Sequence, residues 1–420
     1  VSLLLTLGLI RLIAAKEYGE RAGEISLWLS LLMIMFPPLT PFAANTEKFM
    51  LLPLVGLLAL YVFNRKSESG WPWFWAAACG MTAILYKQIA APAVLFIFVV
   101  WLWEDKNRLN RLLYALAGGF ISLLLITGYF ILRGALPYFM ETAVQYNAYY
   151  FKSTGGFTFM WFAEHLRHFM YNWSLLFLLL VWFFIKRPER WWFYSGLMLT
   201  ALLTIITSPY GHYYILLMPF WAIVSAAAIA QIKFAPRLMW WLVPLLVIGS
   251  MFWPVRGVYL MPPGRLLTEL YSVNNPFVEA PLMAAKIREI SLPRDYLYIA
   301  GTEAEINYYA KRLNPSRFMG IYGLMMDQPM NLRYQQELIG TLQEKKPKMI
   351  VWVQSPLSWL VQPKSPMLIV NYLRKSLKND YRLVGATVRR DDTASWEDHP
   401  DQKKMSNYSL LLFKRKVAAR

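Results

Sequence analysis

The feature that most constrains this chain is a series of ten apolar runs that crowd residues 1–253 and then stop. A helix needs about 20 mostly apolar residues to cross the hydrocarbon core, and aromatic belts at its ends shorten that requirement. The runs fall at approximately 1–15, 24–40, 48–63, 73–86, 88–103, 112–132, 174–185, 191–207, 212–230 and 238–253, the first and the seventh looking short. Charge is divided accordingly, with 18 Lys/Arg and 10 Asp/Glu in residues 1–253 against 25 and 15 in residues 254–420. The pattern predicts a polytopic α-helical membrane protein of about ten spans, residues 1–253, followed by a soluble α/β domain, residues 254–420.

Basic residues give the orientation. Alternate connections carry Lys16/Arg21, Arg65/Lys66, Lys106/Arg108/Arg111, Lys186/Arg187/Arg190 and Lys233/Arg237, and the intervening ones only Lys48, Lys87, Arg133, Lys152 and Arg167. The richer set belongs in the cytoplasm, which makes the C-terminal domain extracytoplasmic and places Val1 outside as well. An outward first residue that is Val suggests N-terminal truncation before a further span. The net charge of +18 has the same origin, and no finger spacing or basic recognition helix points to nucleic acid. A single cysteine, Cys79, excludes an internal disulfide framework.

The expected outer connections hold the unusual residues, so function is expected on that face. In Pro37-Pro38-Leu39-Thr40-Pro41-Phe42-Ala43-Ala44-Asn45-Thr46-Glu47-Lys48, a carboxylate and an ammonium stand at the mouth of the next helix, which Asn45 or Thr46 can cap. Glu47 in a favourable first turn is the plainer reading of the same residue. Lys87, between two spans joined almost without a loop, can bind an anion or snorkel to lipid phosphate. His212 and Tyr213 follow Ser208-Pro209-Tyr210-Gly211, where an aromatic belt is also expected.

The aromatic outer loop 133–173 should lie on the bilayer as interfacial helices. Within it His165 and His168 have i, i+3 spacing, a weak metal signal that lacks the i, i+4 spacing of a zincin helix.

Beyond Pro254 short strands alternate with helical patterns. Strands are expected at 295–301, 348–354, 381–388 and 408–414, and helices at 302–312, 331–344 and 366–377, the first opened by a Thr302-x-x-Glu305 capping box. Glu303 and Glu305 could line a ligand edge, but both read more simply as first-turn acids, and Gly301-Thr302-Glu303 is no phosphate loop. Arg389-Arg390-Asp391-Asp392 through Lys404 reads as a solvated hairpin loop or flexible insert.

Together, Asn45-Thr46-Glu47, the span end from Gly80 to Lys87, His212-Tyr213 followed by a helix with Pro219, and a terminal α/β domain with Gly301-Thr302-Glu303-Ala304-Glu305 resemble the integral-membrane glycosyltransferases of the GT-C superfamily. That group includes protein O-mannosyltransferases, lipid A aminoarabinose transferases and RgtA/B/C/D-like enzymes. The resemblance implies an inverting hexosyl- or pentosyltransferase of a bacterial inner membrane. It would move a sugar from a polyprenyl-phosphate donor to a glycan, lipid or protein on the outer face, with or without a divalent metal. Glu47 would match the second acidic residue of the family, often Asp, with the principal carboxylate on a first outer loop expected upstream of Val1. Lys87 and His212, with Tyr213, would stabilise charge developing on the phosphate. A transporter or flippase of lipid-linked sugars, or an inert membrane subunit with a binding domain, would share the aromatic groove and basic mouth.

Overall fold

The computed structural model describes residues 1–149, 159–206, 211–232 and 239–416. The chain divides into two compact units, Val1–Val258 and Tyr259–Arg420. Expectations that rest on 150–158, 207–210, 233–238 and 417–420, including Tyr150, Lys152, Ser208, Tyr210, Lys233 and Arg237, lie outside the described residues.

The first unit is helical: α1 (Ser2–Tyr18), α2 (Glu20–Ile34), α3 (Thr46–Asn64), α4 (Trp71–Tyr86), α5 (Ala91–Glu104), α6 (Arg108–Leu132), α7 (Leu136–Met140), α8 (Phe159–Asn172), α9 (Ser174–Lys186), α10 (Trp191–Ile206), α11 (Met218–Ala230) and α12 (Met239–Phe252). Helix α3 is its hub, with Met50, Leu51, Leu54, Val55, Leu57 and Leu58 fully buried. Helix α11 is buried along nearly its whole length, and small residues such as Ala222, Ala226 and Ala227 let its neighbours approach closely. Helix α6 is the opposite case: Leu113, Leu116, Phe120, Leu125 and Leu132 are exposed, as a helix facing lipid requires. It is held against α4 by Gly118, where a Cβ would stand 1.9 Å from the Phe74 carbonyl oxygen.

Among the described residues two helices are long and apolar enough to cross a membrane alone, Thr46–Asn64 and Arg108–Leu132. A third span would be made by Phe162–Asn172 with Ser174–Lys186, which meet at 91°. The other apolar helices are shorter; the 13 residues of α11 rise only about 20 Å. The count of ten is therefore not reached on helix length alone. The described end of loop 133–173 is thus the helix α8, set at a right angle to α9.

The helix ends at Tyr18, Asn64, Glu104 and Arg190 are tied by charge. Glu17 pairs with Arg65 at 2.8 Å, Arg190 with Glu104 at 3.1 Å, and Tyr61 donates to Glu104 at 2.9 Å while accepting from Arg190. Largely buried ions of opposite sign are stable only when so partnered.

The second unit carries α13 (Pro263–Tyr271), α14 (Ala280–Ile290), α15 (Glu305–Ala310), α16 (Asn331–Lys345) and α17 (Leu368–Asp380) around a five-stranded sheet of order β1-β2-β5-β3-β4. The strands are β1 (Leu297–Ala300), β2 (Met349–Val353), β3 (Tyr381–Arg390), β4 (Thr393–Asp398) and β5 (Leu410–Arg415). Strands β1 and β2 are parallel, with Leu297 opposite Met349, and the other pairs are antiparallel. Uninterrupted apolar runs in β1 and β2 bury both faces of those strands.

Two local expectations are decided by the structure. Of a solvated hairpin loop and a flexible insert, the stretch after Arg390 begins as a hairpin: Asp391 turns at φ 49° and Thr393–Asp398 pairs back on β3. The capping box does not form, because Thr302 Oγ1 donates to the Ser358 carbonyl and helix α15 starts at Glu305 without a side-chain cap. Glu303 therefore precedes the helix.

Candidate functional site

The site is assembled at the start of α3, the end of α4 and the 3₁₀ turn Gly211–Leu216. Three features of local sequence bring these together. Pro37 and Pro38 open a 3₁₀ turn that ends at Thr40 in the left-handed region, φ 51°, which reverses the chain ahead of α3. Lys87 is extended, φ −159°, and breaks the path between α4 and α5, while Gly80 allows Val94 of α5 to pack against α4. Pro219 sits at the start of α11, so the residues before it wind separately as the turn carrying His212 and Tyr213.

Aromatic packing fixes that turn. Tyr214 stacks on Phe169 of α8 with ring centroids 4.3 Å apart, and Phe36, just before the Pro37–Leu39 turn, lies 5.4 Å from Phe169 and 4.8 Å from Trp173. The two turns are thereby brought side by side above α3.

All four site residues expected from the sequence meet here. The Lys87 ammonium donates to Glu47 Oε1, and His212 Nε2 lies 3.4 Å from the same oxygen. Lys87 Nζ also sits 4.5 Å from the centre of the Tyr213 ring, and the His212 and Tyr213 rings meet edge to face at 4.8 Å. Glu47 is 2% exposed, whereas the Lys87 and His212 side chains are 25% and 27% exposed. One buried carboxylate thus gathers an ammonium and an imidazole whose outer sides stay accessible, an arrangement suited to receiving an anion. The other carboxylate oxygen accepts from Thr46 Oγ1 at 3.3 Å. Asn45 does not cap α3: its amide donates to Thr40 Oγ1 at 2.7 Å.

The two histidines of α8 go to different partners. The His165 ring lies 6.4 Å from that of Tyr214, and the His168 ring 6.0 Å from that of Phe36. Among the described residues no three His, Cys, Asp or Glu side chains gather as a metal site.

In the second unit, Glu303 Oε2 accepts from the Thr302 amide at 2.6 Å and from Ser358 Oγ at 2.7 Å, and burial raises its carboxyl above the usual range. Glu305 is pushed up to about 7, mainly by burial and further by the neighbouring Glu303 charge. The sequence reading missed the Glu17, Arg65, Glu104 and Arg190 network; its signal was charge of both signs at helix ends that periodicity places together.

No family model matches the sequence, and no curated protein matches it. Among solved structures, the chain is similar to ArnT from Cupriavidus metallidurans in the apo state, with a TM-score of 0.54 and 14% identity over 98% of this chain and 82% of that one. It is similar also to ArnT from Cupriavidus metallidurans bound to undecaprenyl phosphate, with a TM-score of 0.57 and 13% identity over 96% of this chain and 83% of that one. The chain therefore shares the fold of ArnT, a helical unit followed by a small C-terminal sheet.

Proposed function

On the premise of that fold, we propose that the protein is a membrane glycosyltransferase that moves a sugar from a polyprenyl-phosphate donor to an acceptor hydroxyl on the outer face of a bacterial inner membrane. The observation that carries the reading is the convergence of Lys87 and His212 on Glu47, from segments far apart in sequence, within a fold also found bound to undecaprenyl phosphate. In the transfer, the acceptor oxygen bonds to the anomeric carbon from the face opposite the phosphate, and the bond from that carbon to the phosphate oxygen breaks. Configuration inverts, and the polyprenyl phosphate leaves with the bonding pair.

Lys87 and His212 hold the leaving phosphate and offset its growing charge, which counts for more at a low-dielectric membrane boundary than in water. Tyr213 carries the Lys87 ammonium over its ring and so limits its wandering. Glu47 fixes both donors through one oxygen and, through the other, orients the acceptor hydroxyl and helps draw off its proton. The acceptor is a glycan, lipid or protein, the sugar a hexose or pentose. The C-terminal α/β unit stands outside the membrane with the acceptor, and the shorter apolar helices complete about ten spans.

The test is binding of undecaprenyl phosphate to the purified full chain in mixed micelles. Lys87→Ala removes a charge-assisted contact of about 1.5–3 kcal/mol, so affinity should fall about 10- to 100-fold. Unchanged affinity in a folded variant would remove Lys87 from the site, and absence of binding by the unaltered protein would remove the reading.

A further inference from the structure

Lys48, next in sequence to Glu47, has no place in the mechanism above, yet it is 4% exposed. It lies in the first turn of α3, where the helix dipole disfavours a cation. Among the described residues no carboxylate stands within ion-pairing distance of its ammonium, which donates instead to the carbonyls of Thr40 at 2.5 Å and Ala43 at 2.7 Å. Burying an ammonium is unfavourable, and the carbonyl acceptors together with the nearby Glu47 charge offset only part of the cost. Such a group persists where the surrounding geometry depends on it.

What depends on it is the turn ahead of α3. Thr40 is a β-branched residue held at φ 51°, a strained conformation that persists only when its surroundings impose it. Its carbonyl accepts from Lys48 Nζ and, at 3.0 Å, from the Ala43 amide; its hydroxyl accepts from Asn45; its amide donates to Pro37 at 2.8 Å. This clasp closes on the two residues flanking Thr46-Glu47.

We infer that Lys48 is a positioning residue: it locks the Thr40–Asn45 turn onto the first turn of α3 and thereby aims the Glu47 carboxylate at Lys87 and His212. The inference rests on the anion-site reading of those three side chains.

A double-mutant cycle tests it, with undecaprenyl phosphate in mixed micelles as the probe and the full chain as the protein. Lys48→Met keeps the apolar stem and removes the ammonium; it should weaken binding three- to tenfold. In the Glu47→Gln background, Lys48→Met should change nothing further, because the group it aims is already gone. A purely structural role predicts instead that the two losses add. Asn45→Ala opens the same clasp from its other side and should behave alike, which keeps the test intact where Lys48→Met does not fold. Additive effects, or unaltered binding by both clasp variants, overturn the positioning role. Wild-type affinity in Lys87→Ala overturns the underlying anion site, and with it the positioning role, even where the cycle is non-additive.

Discussion

Glu305 makes stability depend on pH in a direction unusual for a carboxylate. Its Oε1 is buried without a hydrogen-bond partner among the described residues, and the Glu303 carboxyl lies close enough to raise it further. The folded carboxyl is pushed from 4.5 up to about 7. The folded state therefore binds this proton more tightly than the unfolded state does. Its contribution is fully present below pH 4.5 and is lost as pH rises through 7. At about 1.36 kcal/mol per pH unit, that range of about 2.5 units corresponds to about 3 kcal/mol of stability lost from this group. Glu305→Gln keeps the shape and removes the titration. The assay is amide hydrogen exchange of β1 and α15 in the detergent-solubilised full chain, compared between variant and wild type from pH 4.5 to 8 after correction for intrinsic exchange. Protection of the wild type should fall relative to the variant across that window, with the two converging at the acid end. A wild-type-to-variant difference that stays constant with pH would refute a raised Glu305.

Two further outcomes concern the membrane unit. Arg190→Met removes one partner from Glu104 and from a nearly buried Glu17 while Arg65 remains, and should destabilise the detergent-solubilised protein by about 3–5 kcal/mol in denaturant titration; pairing it with Glu104→Gln should recover part of that loss, and additive losses would show the contact to be idle. Gly118→Ala sets a methyl group against the Phe74 carbonyl and must move α6 off α4, costing about 1–3 kcal/mol by the same titration, whereas Gly128→Ala, with open space around its Cβ position, should leave stability nearly unchanged.

Much of this architecture is legible from residues 1–253 because apolar periodicity is local: the starts of α3, α4 and α9 follow from where charge, Pro and aromatic residues punctuate the runs. Helix lengths were less legible, since whether a run such as 162–186 continues straight or turns by 91° depends on what packs against Phe169 and Trp173. In the second unit the strands of the core were readable, but β4 was not. Its Thr-Ala-Ser-Trp-Glu-Asp run looks polar alone and becomes a strand only because β3 offers an edge and Gly385 makes room for Trp396.

By itself the sequence determined that residues 1–253 belong with lipid, since so many apolar residues have no other solvent, and it determined which polar residues interrupt them: Glu47, Lys48, Lys87, His212. Residue type fixes what each can donate or accept. Only the tertiary structure decided that one oxygen of Glu47 serves both Lys87 and His212, and that Lys48 turns away to the Thr40 and Ala43 carbonyls. Neighbours in sequence point to different faces of a helix, whereas residues 40 and 165 positions apart are brought within ångströms by how the helices pack, and that geometry is set by the whole core at once.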